Sequence, residues 1–284
     1  MAKSFSRNEI LERLHRTINE GKPILAAGCS AGIIAKCAEM GGADLIVVYS
    51  TGLSRLKGLQ TTLIPNSNAI TLEMFGEIQD VVNNTPIIAG VEATEPPAGK
   101  DLVALAKKFI DMGYSGIQNF PTIGFFPPRS EFRMEKEAQG LGFSREVEMI
   151  KIARKMDIFT MAYVFYPSDA AAMVRAGVDC LVPHAGGTAG GVAGYDAVPH
   201  KDAAARIQRM IKAAERVKTD VICLAHGGPF ATPEDTQYLY EHTDAVGFEG
   251  ASAIERIPIE KAIKLAVLEF KSIPIHPRKS QSET

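Results

Sequence analysis

Short, unbroken apolar runs bounded by glycine, proline or polar residues alternate with longer stretches whose apolar positions recur at helical spacing. A run of the first kind fits a strand buried on both faces, and the second fits the helix that returns the chain to the next parallel strand. The runs fall at Pro23–Ala27, Ala43–Tyr49, Pro86–Glu92, Ser115–Asn119, Ile158–Phe165, Val178–Pro183, Val221–Ala225 and Ala245–Phe248. Between and after them the periodicity predicts helices at Ala31–Met40, Thr71–Val82, Ala98–Met112, Ser144–Lys155, Ser168–Ala176, Lys201–Val217, Pro233–Glu241 and Pro258–Phe270. Eight such units without a linker predict a single (β/α)8 TIM barrel of the α/β class over residues 1–275. An open doubly wound sheet is the alternative, and eight matched units favour closure.

Two segments stand outside this alternation. Ser6–Glu20 places Ile10, Leu11, Leu14 and Ile18 on one face before Gly21, which predicts a helix plugging the N-terminal end of the barrel. After the fourth strand, residues 120–142 hold Pro121, Pro127 and Pro128 and then a charged run, a long excursion that reads as a lid or an intersubunit arm. Residues 276–284, which are all polar apart from one proline, are expected to form a flexible tail.

In a barrel of this kind the chemistry sits where strands end and loops begin. Those positions carry Gly28 with Cys29 and Ser30, then Tyr49, Ser50, Thr51 and Gly52, then Glu92, Glu95 and Asn119. Later strand ends add Tyr163, Tyr166, His184, His226 and Glu249. Carboxylates and imidazoles recur, without a cationic cluster. His184 and His226 are candidates for general acid, general base or metal ligand, with Glu249 as a third polar group delivered by a strand. Glu92 and Glu95 are candidate ligands for Mg2+ or Mn2+, which prefer carboxylate oxygens and water. The glycine turns after the last three strands make Gly187, Gly227, Gly228, Gly250 and Ser252 candidate contacts for an anionic group. Gly186–Gly191 lacks the spacing of a dinucleotide loop. Cys29 precedes a helix start but has no histidine near it in sequence, and reads as a small buried thiol.

Charge and composition narrow the partners. A net charge of −2 with 23% charged residues supplies no basic surplus for nucleic acid. No apolar run is long enough to span a bilayer, and residues 1–21 are charged throughout, unlike a signal peptide. The four cysteines show neither CxxC spacing nor a disulfide framework, the pattern expected of reduced thiols in a cytoplasmic protein.

Two resemblances sharpen the reading. From Ala35-Lys36-Cys37-Ala38-Glu39-Met40-Gly41-Gly42 through Val48-Tyr49-Ser50-Thr51-Gly52 the chain resembles the phosphoenolpyruvate mutase/isocitrate lyase superfamily. The resemblance implies that Thr51 and Gly52 hold a substrate carboxylate, in the places of the serine and glycine of a Tyr-x-Ser-Gly strand end. It also implies a Mg2+ site after the third strand; of the Asp-Ala-Asp found there, the second Asp falls on Glu92 and the first on Gly90. Over nearly its whole length the chain is similar to the phosphoenolpyruvate hydrolase-like family, also called TIM-barrel signal transduction proteins. The motifs are Gly116-Ile117-Gln118-Asn119-Phe120-Pro121-Thr122, Gly142-Phe143, His226-Gly227-Gly228-Pro229 and Gly247-Phe248-Glu249-Gly250-Ala251-Ser252 with Glu255-Arg256.

The expected function is a lyase or hydrolase acting on a small α-oxo or phosphoenol carboxylate through a metal-stabilised, enolate-like intermediate. The alternative is a non-catalytic barrel that binds a nucleotide or phosphorylated metabolite in signalling. Superfamily barrels that pack or exchange their C-terminal helices imply a homo-oligomer, which the apolar Ile257, Ile259, Ile263, Leu265 and Leu268 permit.

Overall fold

The computed structural model describes residues 4–95 and 101–275. Nine parallel strands follow one another round a single sheet: β1 (Ile24–Gly28), β2 (Leu45–Val48), β3 (Ile87–Gly90), β4 (Gly116–Gln118), β5 (Phe159–Val164), β6 (Cys180–Pro183), β7 (Ile222–Cys223), β8 (Ala225–His226) and β9 (Gly247–Gly250). β7 and β8 are two halves of one strand broken at Leu224. β7 pairs with β6, and β8 pairs with β9, which in turn pairs with β1. Leu224 N–H donates to the Leu181 carbonyl and Val246 N–H to the Cys223 carbonyl, carrying the ladder across the break. The sheet therefore closes, with the eight predicted strands all present.

The helices follow the predicted alternation, with ends moved by a few residues. α1 (Arg7–Asn19) starts at a capping box, in which the Ser6 side chain accepts from Glu9 N–H while the Glu9 carboxylate accepts from Ser6 N–H. Its buried Ile10 and Leu14 join the cluster lining the barrel interior, with Ile24, Leu45, Phe159, Cys180 and Ile222 from strand starts. Arg7 pairs with Asp179 at 2.6 Å, and Thr17 donates to Asp44 at 2.8 Å, both just ahead of strands. These contacts pack α1 against the starts of the strands. α2 (Gly32–Met40) follows β1.

Two stretches read as loops contain helices. The connection after β2 holds α3 (Gly52–Leu56), and α4 begins at Ser67 and runs to Gln79. α5 (Leu102–Met112) is capped by Asp101, so the expected start at Ala98 lies outside the described residues. The excursion after β4 is also ordered: a 3-10 turn at Ile123–Phe125 leads to α6 (Glu131–Ala138) and then α7 (Phe143–Lys155). Arg133 of α6 makes a buried two-pronged pair with Asp169, at 2.8 and 2.9 Å. Asp169 belongs to α8 (Pro167–Ala176), so the excursion is tied down at its far end.

α9 (His200–Glu215) and α10 (Pro233–His242) complete the outer ring. A π-turn at Ser252–Arg256 leads into α11 (Ile257–Ser272). Of the apolar positions named as permitting a homo-oligomer, Ile257 is buried and Ile259 partly so, whereas Ile263, Leu265 and Leu268 are exposed. The tail expected at 276–284 lies outside the described residues. Among the described residues no helix is long and apolar enough to cross a membrane.

Candidate active site

A cavity of about 290 Å³ opens where the strands end. β2 brings Tyr49 to its wall; Thr51 follows at the cap of α3, and Arg55 sits in the last turn of that helix. β5 contributes Tyr163 and, just past its end, Phe165; β6 leads into His184, β8 ends in His226, and Ser252 follows β9.

The two histidines are buried neighbours, ring centroids 4.4 Å apart, and their Nδ1 partners assign opposite tautomers. His226 Nδ1 lies 2.6 Å from the Glu249 carbonyl oxygen, an acceptor only, so Nδ1 carries the proton and Nε2 is a bare acceptor. His184 Nδ1 accepts from Gly186 N–H at 2.9 Å, so its proton resides on Nε2. Burial pushes the His226 imidazole down to about 4 and holds that of His184 well below the ordinary histidine value. Both rings are neutral at pH 7: one offers a proton acceptor, the other a donor.

Beneath them lies Glu249, fully buried and not itself part of the cavity wall. Its Oε1 accepts from the Tyr163 hydroxyl at 2.5 Å and its Oε2 from Gln118 Nε2 at 2.8 Å. Tyr163 Oη also stands 3.3 Å from His226 Nδ1. Burial raises the Glu249 carboxyl to about 7 despite both hydrogen bonds. Glu249 thus orients the groups that line the cavity, and its backbone carbonyl sets the tautomer of His226.

The cavity's cation was not visible in the sequence. Arg55 is buried, with Nε donating to Glu255 Oε1 at 2.5 Å and Nη1 to Thr61 Oγ1 at 3.1 Å. Its Nη2 lies against the same Glu255 oxygen but off the hydrogen-bonding line, leaving N–H groups without an acceptor. Ser30 Oγ donates to the other Glu255 oxygen at 2.6 Å. Beside this pair, Thr51 Oγ1 is buried on the cavity wall with no hydrogen-bond partner. A buried guanidinium and a buried hydroxyl, each with a polar atom that lacks a hydrogen-bond partner, thus stand side by side at this wall.

A family model described as phosphoenolpyruvate hydrolase-like matches residues 9–273. The chain belongs to that family. It is 41% identical over 273 residues to the ToMV resistance protein Tm-1(GCR237) of Solanum lycopersicum, covering 94% of this chain and 36% of that protein. The chain spans less than half the length of the curated relatives it matches, from 35% to 44%. Two solved structures share its fold. One is phosphoenolpyruvate phosphomutase from Streptomyces platensis subsp. rosaceus, with a TM-score of 0.60 at 16% identity, covering 93% of this chain and 86% of that one. The other is phosphonopyruvate hydrolase in complex with oxalate and Mg2+, with a TM-score of 0.60 at 17% identity, covering 92% of this chain and 87% of that one.

The family's glycine motifs serve chain packing here more than ligand contact. Gly52 N–H, expected to hold a carboxylate, donates to the Tyr49 carbonyl at 3.0 Å. A Cβ at Gly52 would stand 1.6 Å from Ser30 Oγ, so glycine is needed for Ser30 to reach Glu255. Gly228 N–H, expected to face an anion, donates to the Gly186 carbonyl at 2.8 Å, and a Cβ at Gly227 would meet that oxygen at 2.2 Å. Gly187 does line the cavity, where a Cβ would strike the Tyr195 ring. Gly28 and Gly250 lie off the wall, packed against Ala251 and Ile254. Ser50 is buried behind the wall, bonded to Ser67 at 3.0 Å.

Asn119, also expected to touch substrate, ties strands together instead. Its Oδ1 accepts from Tyr163 N–H, and its Nδ2 donates to the Tyr163 carbonyl and to Glu146 Oε2. Glu146 also accepts from Thr122 Oγ1 at 2.6 Å and Ile123 N–H at 2.8 Å, which anchors the turn carrying Phe125. Burial raises its carboxyl to about 7.

The wall does not fit a hard divalent cation. Glu249 and Glu255 have their oxygens engaged as described, and among the described residues no three His, Cys, Asp or Glu side chains converge as a metal site. At Gly90, where the resemblance puts one carboxylate, a Cβ would lie 2.3 Å from Tyr49 Cβ and 2.7 Å from the Phe120 carbonyl oxygen. The structure does bring Glu92 and Glu95 together, outside the cavity wall. Asn68 Nδ2 donates to the Glu92 carbonyl at 3.0 Å and to Glu95 Oε2 at 2.5 Å. Burial raises the Glu92 carboxyl, and the Glu95 charge adds to that.

Proposed function

We propose that the chain is a lyase or hydrolase of small α-oxo or phosphoenol carboxylates, breaking a C–C or P–O bond next to the carboxylate through an enolate-like intermediate. The observation that carries this reading is the pair of neutral imidazoles with opposite tautomers beside a buried guanidinium, all on one cavity wall. Arg55 and Thr51 Oγ1 take the carboxylate. His226 Nε2 accepts a proton from the substrate or from water, and His184 Nε2–H donates to the oxygen on which charge develops. An imidazole near 4 is a modest base in water, but the same burial that lowers it strengthens any hydrogen bond formed in the cavity. The likeness to a phosphomutase and a phosphonopyruvate hydrolase supports this class of chemistry. Since no carboxylate side chain lines the wall among the described residues, this reading routes no step through Mg2+ or Mn2+, and His184 Nε2–H is the donor to the developing charge.

The test is a thermal-shift screen of oxo and phosphoenol acids, followed by NMR of the mixtures for product. An acid that raises the melting temperature of the wild type and of His226→Gln alike, yet is converted only by the wild type, supports the mechanism. Unchanged conversion by both His226→Gln and His184→Gln would refute it. A nucleotide or phosphorylated metabolite bound and returned intact would instead identify a signalling barrel.

A further inference from the structure

We propose that the substrate is a monoanionic acid whose single carboxylate is followed by an apolar, preferably aromatic, tail. The inference rests on the reading that Arg55 holds the carboxylate, and goes on to choose among the acids that reading allows.

Three independent features point the same way. The first is charge. Arg55 is the one cationic side chain lining the cavity among the described residues, and Glu255 already sits against it. The pair as a unit is nearly neutral. It can give hydrogen bonds to one carboxylate, but it has no surplus charge for a second anion taken out of water. The second is the place where a phosphate would sit. The glycine turn after β8 folds onto the turn after β6, with Gly228 N–H donating to the Gly186 carbonyl and the Gly228 carbonyl accepting from Ala189 N–H. The Gly228 N–H is thus spent inside the turn, which takes one donor away from any cradle of the kind that binds phosphate elsewhere.

The third feature is the wall beyond the imidazoles. Phe165 stacks on His184 at 4.4 Å, and Phe125 meets Phe165 edge-on at 5.5 Å. Arg55 stands 5.3 Å above the Tyr49 ring, and Tyr49 lies 4.8 Å from Phe120. Tyr163 in turn meets Phe120 and both imidazoles, so a run of ring contacts leads from the guanidinium to the imidazole pair and on to Phe165 and Phe125. Phe125 is 56% exposed although it lines the cavity, and Glu146 pins the turn that carries it. An aromatic ring fixed at the mouth of a cavity and left in water gains by burial against an apolar ligand. The space of about 290 Å³ corresponds to about ten water volumes, more than a minimal oxo acid fills.

The experiment measures dissociation constants of four probes, pyruvate, phenylpyruvate, oxaloacetate and phosphoenolpyruvate, by calorimetry with the wild type, Phe125→Ala and Arg55→Met. Phenylpyruvate is expected to bind the wild type about tenfold or more tighter than each of the others. In Phe125→Ala, whose replaced ring is mostly exposed and whose fold is thereby spared, the preference for phenylpyruvate over pyruvate is expected to fall about tenfold. Tighter binding of oxaloacetate or phosphoenolpyruvate, or a preference untouched in Phe125→Ala, would overturn the inference while leaving the carboxylate site in place. Acid binding indifferent to Arg55→Met, or no binding of any probe, would overturn the proposed function and this inference with it.

Discussion

Glu249→Gln isolates what a buried carboxyl beneath the imidazole pair does to the fold. The folded chain holds the Glu249 proton up to about 7, whereas the unfolded chain releases it near 4.5. A carboxyl raised in this way contributes stability that is fully present below the unfolded value and is lost as pH rises through the folded one. At about 1.4 kcal/mol per pKa unit, this loss amounts to about 3 kcal/mol between acid and mildly alkaline solution. Glutamine has the same shape and cannot ionise. Its carbonyl can accept from Tyr163, while its amide needs an acceptor where Gln118 Nε2 now donates. Gln118 Oε1 is buried without a partner, so turning that amide over supplies one. Urea unfolding of both chains between about pH 5 and about pH 9 reads the difference directly. The variant is expected to gain about 3 kcal/mol relative to the wild type across that range. Glu146, His184 and His226 titrate in both chains and largely cancel. A relative stability that stays flat with pH would refute the argument that Glu249 is buried with its proton.

Three further outcomes follow from the same geometry. Arg55→Met leaves Glu255 buried without its cation and is expected to cost about 3–5 kcal/mol; the double variant Arg55→Met/Glu255→Met should recover most of that by calorimetry without regaining acid binding, and a single variant as stable as the wild type would contradict the pairing. Exhaustive EDTA treatment is expected to leave the thermal response to oxo acids intact, whereas loss of the response and its return with Mg2+ would show that the wall takes a cation after all. The exposed Ile263, Leu265, Leu268 and Phe270 of α11 are expected to pack against a second copy of the chain; light scattering on a chain ended at Ile257 should then show a smaller assembly, and an unchanged one would remove α11 from the interface.

Much of the architecture was legible without coordinates. β5 and β6 are buried along their whole length, and a strand buried on both faces reads as a near-continuous apolar run, broken in β5 by Thr160, which is a local pattern. α1 announced itself through the spacing of Ile10, Leu11, Leu14 and Ile18 ahead of Gly21. His184 and His226 were visible as polar residues closing apolar runs, and both line the cavity. Thr51, to which the resemblance gave a carboxylate, lies on the same cavity wall.

Tertiary structure alone decided which polar atoms remain available to a ligand. Arg55 reads as one charge in an irregular stretch, because its partner Glu255 is 200 residues away and its helix has only five residues. Asn119 and Gly228 carry the right chemistry for a site, yet neighbouring strands and turns use their hydrogen-bonding groups. Gly52 and Gly227 are permissive in either role, and it is the approach of Ser30 and of the Gly186 carbonyl that assigns them to packing. The tautomers of the two histidines follow from one N–H and one carbonyl that no spacing rule brings near them. Periodicity records burial, which is a property of each segment. Availability depends on every donor and acceptor within reach, and for this cavity those come from strands and turns far apart in the chain.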